Sequence, residues 1–109
     1  MRLIITGGSG LDEGLVADTL LTLITAKQWV LAALIVHRSE LSEATTAAVE
    51  WAAARGVRVV IAEAVAQTSP DVALIFPGSK GSVVREIMSE RIPIYNVSAE
   101  GRYTKHRSK

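Results

Sequence analysis

Short apolar runs alternate with helical patterns along the whole chain, and few folds accommodate that rhythm. The runs are Leu3–Thr6, Ala32–His37, Val57–Ala62, Val72–Phe76 and Ile94–Val97, three of them rich in valine and isoleucine. They are continuous rather than alternating, which is the pattern of strands covered on both faces in a parallel sheet. Between them, about Asp12 to Lys27 carries Leu15, Val16, Leu20, Leu23 and Ile24 on one stripe, with Asp12 as the expected N-cap. About Ser42 to Arg55 is an alanine-rich helix with Ser42 as cap and Gly56 just past its end. The last helix is expected from about Ser82 to Arg91, with Val84, Ile87 and Met88 inward and Pro93 closing the exit.

Strand–helix alternation with right-handed crossovers gives one Rossmann-like, three-layer α/β domain. Its expected sheet is five-stranded and parallel, in the order 3-2-1-4-5. Only Glu63–Pro70 joins the third and fourth strands. That crossing spans about 22 Å against a reach of roughly 23–25 Å for seven extended residues, so the helix normally found there is missing.

Two glycine-rich turns follow strands and lead into helices: Thr6-Gly7-Gly8-Ser9-Gly10 and Phe76-Pro77-Gly78-Ser79-Lys80-Gly81-Ser82. A strand passing through glycines into a helix offers unobstructed backbone N–H groups at the helix's positive end, a means of holding phosphate or carboxylate. In the order 3-2-1-4-5 both turns flank the crevice between strands 1 and 4, where chain order reverses and ligands bind in such sheets. The plainer reading is that the glycines only make tight turns. The pairing favours an anion or nucleotide site, with Ser9, Ser79, Lys80 and Ser82 as added donors. Ser82 serves equally as the cap of its helix.

Two standard phosphate motifs do not fit. Gly8-Ser9-Gly10 begins a dinucleotide fingerprint, but Glu13 stands where the third glycine belongs, and the second strand ends in His37 and Arg38 rather than an acid. Neither loop is followed by Gly-Lys-Ser/Thr at P-loop spacing. Metal chemistry lacks a ligand cluster, since His37 and His106 are the only histidines and there is no cysteine. No cofactor is implied. Histidine can move a proton near neutrality, which makes His37 a candidate ligand contact or proton donor, and its plainer role is a strand-end histidine bonded to local backbone. Asp12, Glu13, Glu40 and Glu43 are candidate general acids or bases, with helix capping and first-turn placement as their plainer roles.

At this point the chain resembles a family. Arg2–Gly8, Val36-His37, Glu50-Trp51-Ala52 with Arg55-Gly56-Val57, and above all Ala73–Ser82 are similar to the SLOG superfamily, across roughly residues 1–97. This Rossmann-like group contains the LOG-type nucleotide phosphoribohydrolases, and the small YspA/YpsA-like branch is nearest in pattern. The resemblance implies a nucleotide or phosphorylated ligand at Gly7, Gly8, Ser9, Gly10, His37, Arg38, Pro77, Gly78, Ser79, Lys80, Gly81 and Ser82. LOG-type enzymes carry P-G-G-x-G-T-x-x-E, whose glutamate takes part in hydrolysis. Here Arg85 stands in that place and Glu86 follows one position late, about 100° around the helix. His37–Ala44 likewise lacks the glycines and acid of the branch's H-G-G-x-x-G-A-D. The implied function is therefore a reduced, binding-only SLOG-like domain. A nucleoside-monophosphate hydrolase and an interaction protein remain the alternatives.

Charge separates a body from a tail. Residues 101–109 hold Arg102, Lys105, Arg107 and Lys109 and no acid, leaving eight basic against eleven acidic residues in 1–100. The expected division is a domain over 1–100 and a basic tail over 101–109, the tail being either a plain solvated end or a nucleic-acid contact. A homodimer is a further expectation. The opening residues lack the apolar core of a signal peptide, and the longest apolar run, Trp29–Val36, is too short to span a bilayer. Without cysteine, nothing argues for an oxidising compartment, and a cytoplasmic protein without membrane association is expected.

Overall fold

The computed structural model describes residues 1–12 and 14–106. Its elements in chain order are β1 (Arg2–Thr6), α1 (Leu15–Lys27), β2 (Ala33–His37), α2 (Glu43–Ala54), β3 (Arg58–Ala62), a 3-10 turn (Val65–Thr68), β4 (Val72–Ile75), α3 (Gly81–Ser89), β5 (Ile94–Val97) and β6 (Tyr103–His106). The sheet order is β3-β2-β1-β4-β5-β6. Pairings among β1 to β5 are parallel, and β6 runs antiparallel to β5, with Tyr95 opposite Lys105 and Val97 opposite Tyr103. The expected five-stranded, all-parallel sheet is thus corrected to a six-stranded mixed one.

The correction has a local cause. Ser98 and Gly101 turn the chain back: Ser98 N–H donates to the Arg102 carbonyl at 2.8 Å, and Gly101 N–H to the Ser98 carbonyl at 3.0 Å. Gly101 adopts φ +85°, a conformation glycine reaches without steric cost. Tyr103 then packs edge-to-face on Tyr95, with ring centroids 6.0 Å apart, and Tyr95 packs on Trp29 at 5.7 Å. This aromatic stack anchors a segment that its charge alone marks as a tail. Arg107 and Lys109 lie outside the described residues, as does Glu13.

Strand periodicity divides the core. Leu3, Ile5, Leu34, Val36, Val72 and Leu74 face α1 and α2, where they meet Val16, Leu20, Leu23, Ala44, Ala48 and Ala52. Ile4, Ile35, Ala73 and Ile94 face the other way, onto Val65 of the 3-10 turn and Val83 and Ile87 of α3. The alanines of α2 let that helix lie close to the sheet. A single 3-10 turn between β3 and β4 replaces a crossover helix, so the second face is covered mainly by the nine residues of α3.

α1 and α3 differ from expectation at their starts, whereas α2 begins as expected. α1 begins at Leu15 with Gly14 as N-cap and no side-chain cap, and Asp12 contributes only its carbonyl, which accepts the Leu15 N–H at 3.1 Å. Ser42 does cap α2: its hydroxyl accepts the Thr45 N–H and the Thr45 hydroxyl accepts the Ser42 N–H, a reciprocal capping box. α3 starts one residue early, with Lys80 rather than Ser82 at the N-cap. Its buried face is Val83 and Ile87, one turn apart, and Met88 is 47% exposed.

Candidate functional site

Three loops meet beyond the carboxyl ends of β1, β2 and β4. The first and third are bonded directly to each other, since Gly8 N–H donates to the Pro77 carbonyl at 2.8 Å and Phe76 N–H to the Thr6 carbonyl at 2.8 Å. The second joins through Ser42, whose hydroxyl donates to the Gly7 carbonyl at 2.7 Å, and through Ala44 N–H, which donates to the Gly8 carbonyl at 3.2 Å. Between them lies a cleft of about 280 Å³. Its walls are Gly7, Gly8 and Ser9 from the first loop, Ser39 to Ser42 from the second, and Gly78 and Lys80 from the third.

The glycines here have a packing task. A Cβ on Gly8 would sit 2.7–2.9 Å from the carbonyl oxygen, Cα and carbonyl carbon of Gly78, and one on Gly7 would sit 2.7 Å from Ala44 Cβ and 2.8 Å from Phe76 Cβ. Such distances leave no room for a side chain. Gly8 and Gly78 therefore let two loops touch backbone to backbone, and Gly7 lets the Ala44 and Phe76 side chains pack against the chain. Gly10 and Gly81 differ: a Cβ on either meets nothing within 4 Å.

Glu40 is the buried charge of the site, only 4% exposed. Its Oε2 accepts the Thr6 hydroxyl, and its Oε1 accepts the Lys80 N–H at 2.9 Å. A carboxylate at the entry of α3 is favoured by the helix dipole, and each of its oxygens keeps a second lone pair. The Lys80 ammonium points elsewhere, donating to the Ser39 carbonyl at 2.5 Å. The cleft thus presents a carboxylate at its floor and an ammonium at its rim, each bonded to the frame and not to the other.

Of the residues expected at the site, Gly7, Gly8, Ser9, Gly78 and Lys80 line the cleft, and Pro77 supports it through its carbonyl. The others stand apart. Ser79 closes its own turn by donating to the Phe76 carbonyl at 2.7 Å. Arg38 points outward and pairs with Glu63 at 2.6 Å, both side chains 70% exposed. Gly10 lies beyond the lining, Gly81 and Ser82 form the first turn of α3, and His37 is packed behind the cleft with 6% exposure. Ser39, Leu41 and Ser42 line the cleft without having been marked as ligand contacts. Their signal was topological, because the loop after β2 must pass beside the loop after β1 in a sheet where those strands are neighbours.

His37 is held on both ring nitrogens. Nδ1 lies 3.1 Å from the Ser39 N–H and 2.8 Å from Ser39 Oγ, and Nε2 lies 3.0 Å from Glu86 Oε2. The second oxygen of Glu86 accepts the Val65 N–H at 3.1 Å, tying α3 to the 3-10 turn. Among the described residues no group of three or more His, Asp or Glu could hold a metal ion, and no helix is long and apolar enough to cross a membrane. No family model, characterised protein or solved structure matches the chain. The SLOG resemblance therefore rests on the motifs quoted for it.

Proposed function

We propose that the protein is a small SLOG-like domain that binds a nucleotide or related phosphorylated molecule in the cleft between its two glycine loops, without hydrolysing an N-glycosidic bond. The observation that carries this reading is the cleft itself, where two backbone-locked loops present Lys80, the N-cap of α3, to one space of about 280 Å³. The first bond within α3 runs from Val84 N–H to the Lys80 carbonyl, at 3.1 Å. The amides of Gly81, Ser82 and Val83 precede it and have no partner inside the helix. An incoming phosphate meets those amides and the Lys80 ammonium, and the spare lone pairs of Glu40 suit hydroxyl donors on the same ligand. Glu86, the residue nearest in sequence to the family's hydrolytic glutamate, is engaged by His37 and Val65 N–H, so neither of its oxygens is left free for attack on an N-glycosidic bond.

Differential scanning fluorimetry with adenosine monophosphate, ribose 5-phosphate and inorganic phosphate tests the proposal. Saturable stabilisation that weakens in Lys80→Ala supports it; no stabilisation at millimolar concentrations of all three removes it.

A second reading draws on β6. Arg102 and Lys105 lie in and beside an ordered edge strand, a firmer platform for nucleic acid than a loose end. Salt-dependent DNA or RNA binding that persists after Arg102→Ala and Lys105→Ala would end that reading. We further propose a cytoplasmic protein able to form a homodimer, to be checked by sedimentation.

A further inference from the structure

Ser39, His37 and Glu86 form a hydrogen-bonded chain that a phosphate-binding cleft does not require. A backbone amide can only donate, so the Ser39 N–H at 3.1 Å fixes His37 Nδ1 as an acceptor. The imidazole proton therefore sits on Nε2 and is donated to Glu86 Oε2 at 3.0 Å. It follows that the Ser39 hydroxyl is the donor in its 2.8 Å contact with Nδ1. His37 is buried, Ser39 is an exposed residue, and Ser39 lines the cleft. Glu86 is itself fixed by the Val65 N–H. A hydroxyl bonded to an imidazole whose other nitrogen is held by a carboxylate is the arrangement that activates a serine.

We propose that Ser39 is a nucleophile, with His37 as its general base and Glu86 as the positioning residue, and that this site hydrolyses small activated carboxylic esters. Ser39 Oγ bonds to the acyl carbon as its proton passes to Nδ1. The imidazolium so formed keeps its Nε2–H on the Glu86 carboxylate. The tetrahedral adduct breaks its bond to the alcohol oxygen, which leaves with the proton from Nδ1. Water then attacks the acyl-serine, giving a proton to Nδ1, and Nδ1 returns it to Oγ as the carboxylic acid departs. Ester and water become acid and alcohol, with no oxidant or cofactor consumed.

The Lys80 ammonium, 2.5 Å from the Ser39 carbonyl, has two further N–H donors for charge building on the substrate oxygen. One cationic donor, rather than a pair of fixed amides, favours activated esters over amides. The cleft, about 280 Å³, accommodates a short acyl group.

The test is labelling of the folded full chain by a fluorophosphonate, which bonds its phosphorus to Oγ and expels fluoride, together with turnover of p-nitrophenyl acetate. Tandem mass spectrometry should find the adduct on Ser39. Labelling should depend on the imidazole, which takes the serine proton at Nδ1. His37→Gln should slow it by about 100-fold, the scale of general-base catalysis. Glu86→Gln should slow it less, and Ser39→Ala should abolish it. Circular dichroism confirms that each variant is folded. The wild-type protein alone also decides: Ser39 labelling no faster than that of the exposed Ser82 and Ser89 overturns the proposal. So does a rate unchanged in folded Glu86→Gln and His37→Gln.

Discussion

Replacing Gly8 by alanine should cost far more than the one methyl group suggests. The new Cβ would lie 2.7 Å from the Gly78 carbonyl oxygen, 2.8 Å from its Cα and 2.9 Å from its carbonyl carbon. All three are backbone atoms, so no side chain can swing away, and relief to ordinary contact near ~3.5 Å requires the two loops to part by about 0.7 Å. That movement stretches the 2.8 Å bond from Gly8 N–H to the Pro77 carbonyl to roughly 3.5 Å, beyond useful hydrogen bonding. Overpacking of this kind costs about 1–3 kcal/mol and the lost bond about 1 kcal/mol, together about 2–4 kcal/mol. A domain of this size should then lose at least about 8 °C in melting temperature. Urea unfolding followed by circular dichroism measures the cost, with Gly81→Ala as the control. That site has open space around its Cβ and no positive φ, so alanine should be neutral or stabilise by up to about 1 kcal/mol. A Gly8→Ala protein within about 0.5 kcal/mol of wild type, or a Gly81→Ala protein equally damaged, would refute the steric account.

Ser42→Ala removes both the cap of α2 and the bond to the Gly7 carbonyl, and should destabilise by about 1–2 kcal/mol in the same urea assay. Tyr103→Ala should release β6 from the Tyr95 ring, seen as faster amide hydrogen exchange at 103–106 while exchange in β1 and β2 stays slow. Arg38→Ala should change stability by less than about 0.5 kcal/mol, because its ion pair with Glu63 is exposed to solvent. Under the proposed function, Gly81→Ala should keep or raise the melting temperature yet weaken stabilisation by nucleoside monophosphate, measured by titration calorimetry.

How much could be read from the chain depended on whether a residue's neighbours are local. Val and Ile runs announce strands wherever they occur, and Ser42 directly before an alanine-rich helical pattern announces a helix start, because each signal lies within one turn or one strand. Tyr103 was different. Its partner Tyr95 lies eight residues back, across the Ser98–Gly101 turn, and the surrounding basic residues hid a hairpin behind the composition of a tail. Glu40 was legible only as a candidate carboxylate. Its burial depends on Thr6 and on the Lys80 N–H, which are distant in sequence and meet only once β1, β2 and β4 are ordered in the sheet. Met88 failed for a simpler reason: with α3 beginning at Gly81, the face toward the sheet runs through Val83 and Ile87, and Met88 turns outward.

The glycine loops attract a ligand hypothesis because glycine lets backbone approach backbone or phosphate, and these two uses can be separated here residue by residue. Gly7, Gly8 and Gly78 are already filled by the protein's own contacts, so they would be needed whether or not anything binds. Their presence says only that the loops are locked. Gly10 has open space but adopts φ +78°, which alone accounts for glycine. Gly81 has neither reason: no atom lies within 4 Å of its would-be Cβ, its φ is not left-handed, and glycine weakens a helix compared with alanine. It sits at the first position of α3, directly after Lys80, where, under the proposed function, a bare backbone leaves the first-turn amides open to an anion. Under the proposed function, the weight of the second loop therefore rests on the glycine that does not pack rather than on those that do, and on the adjoining Lys80 rather than on loop composition.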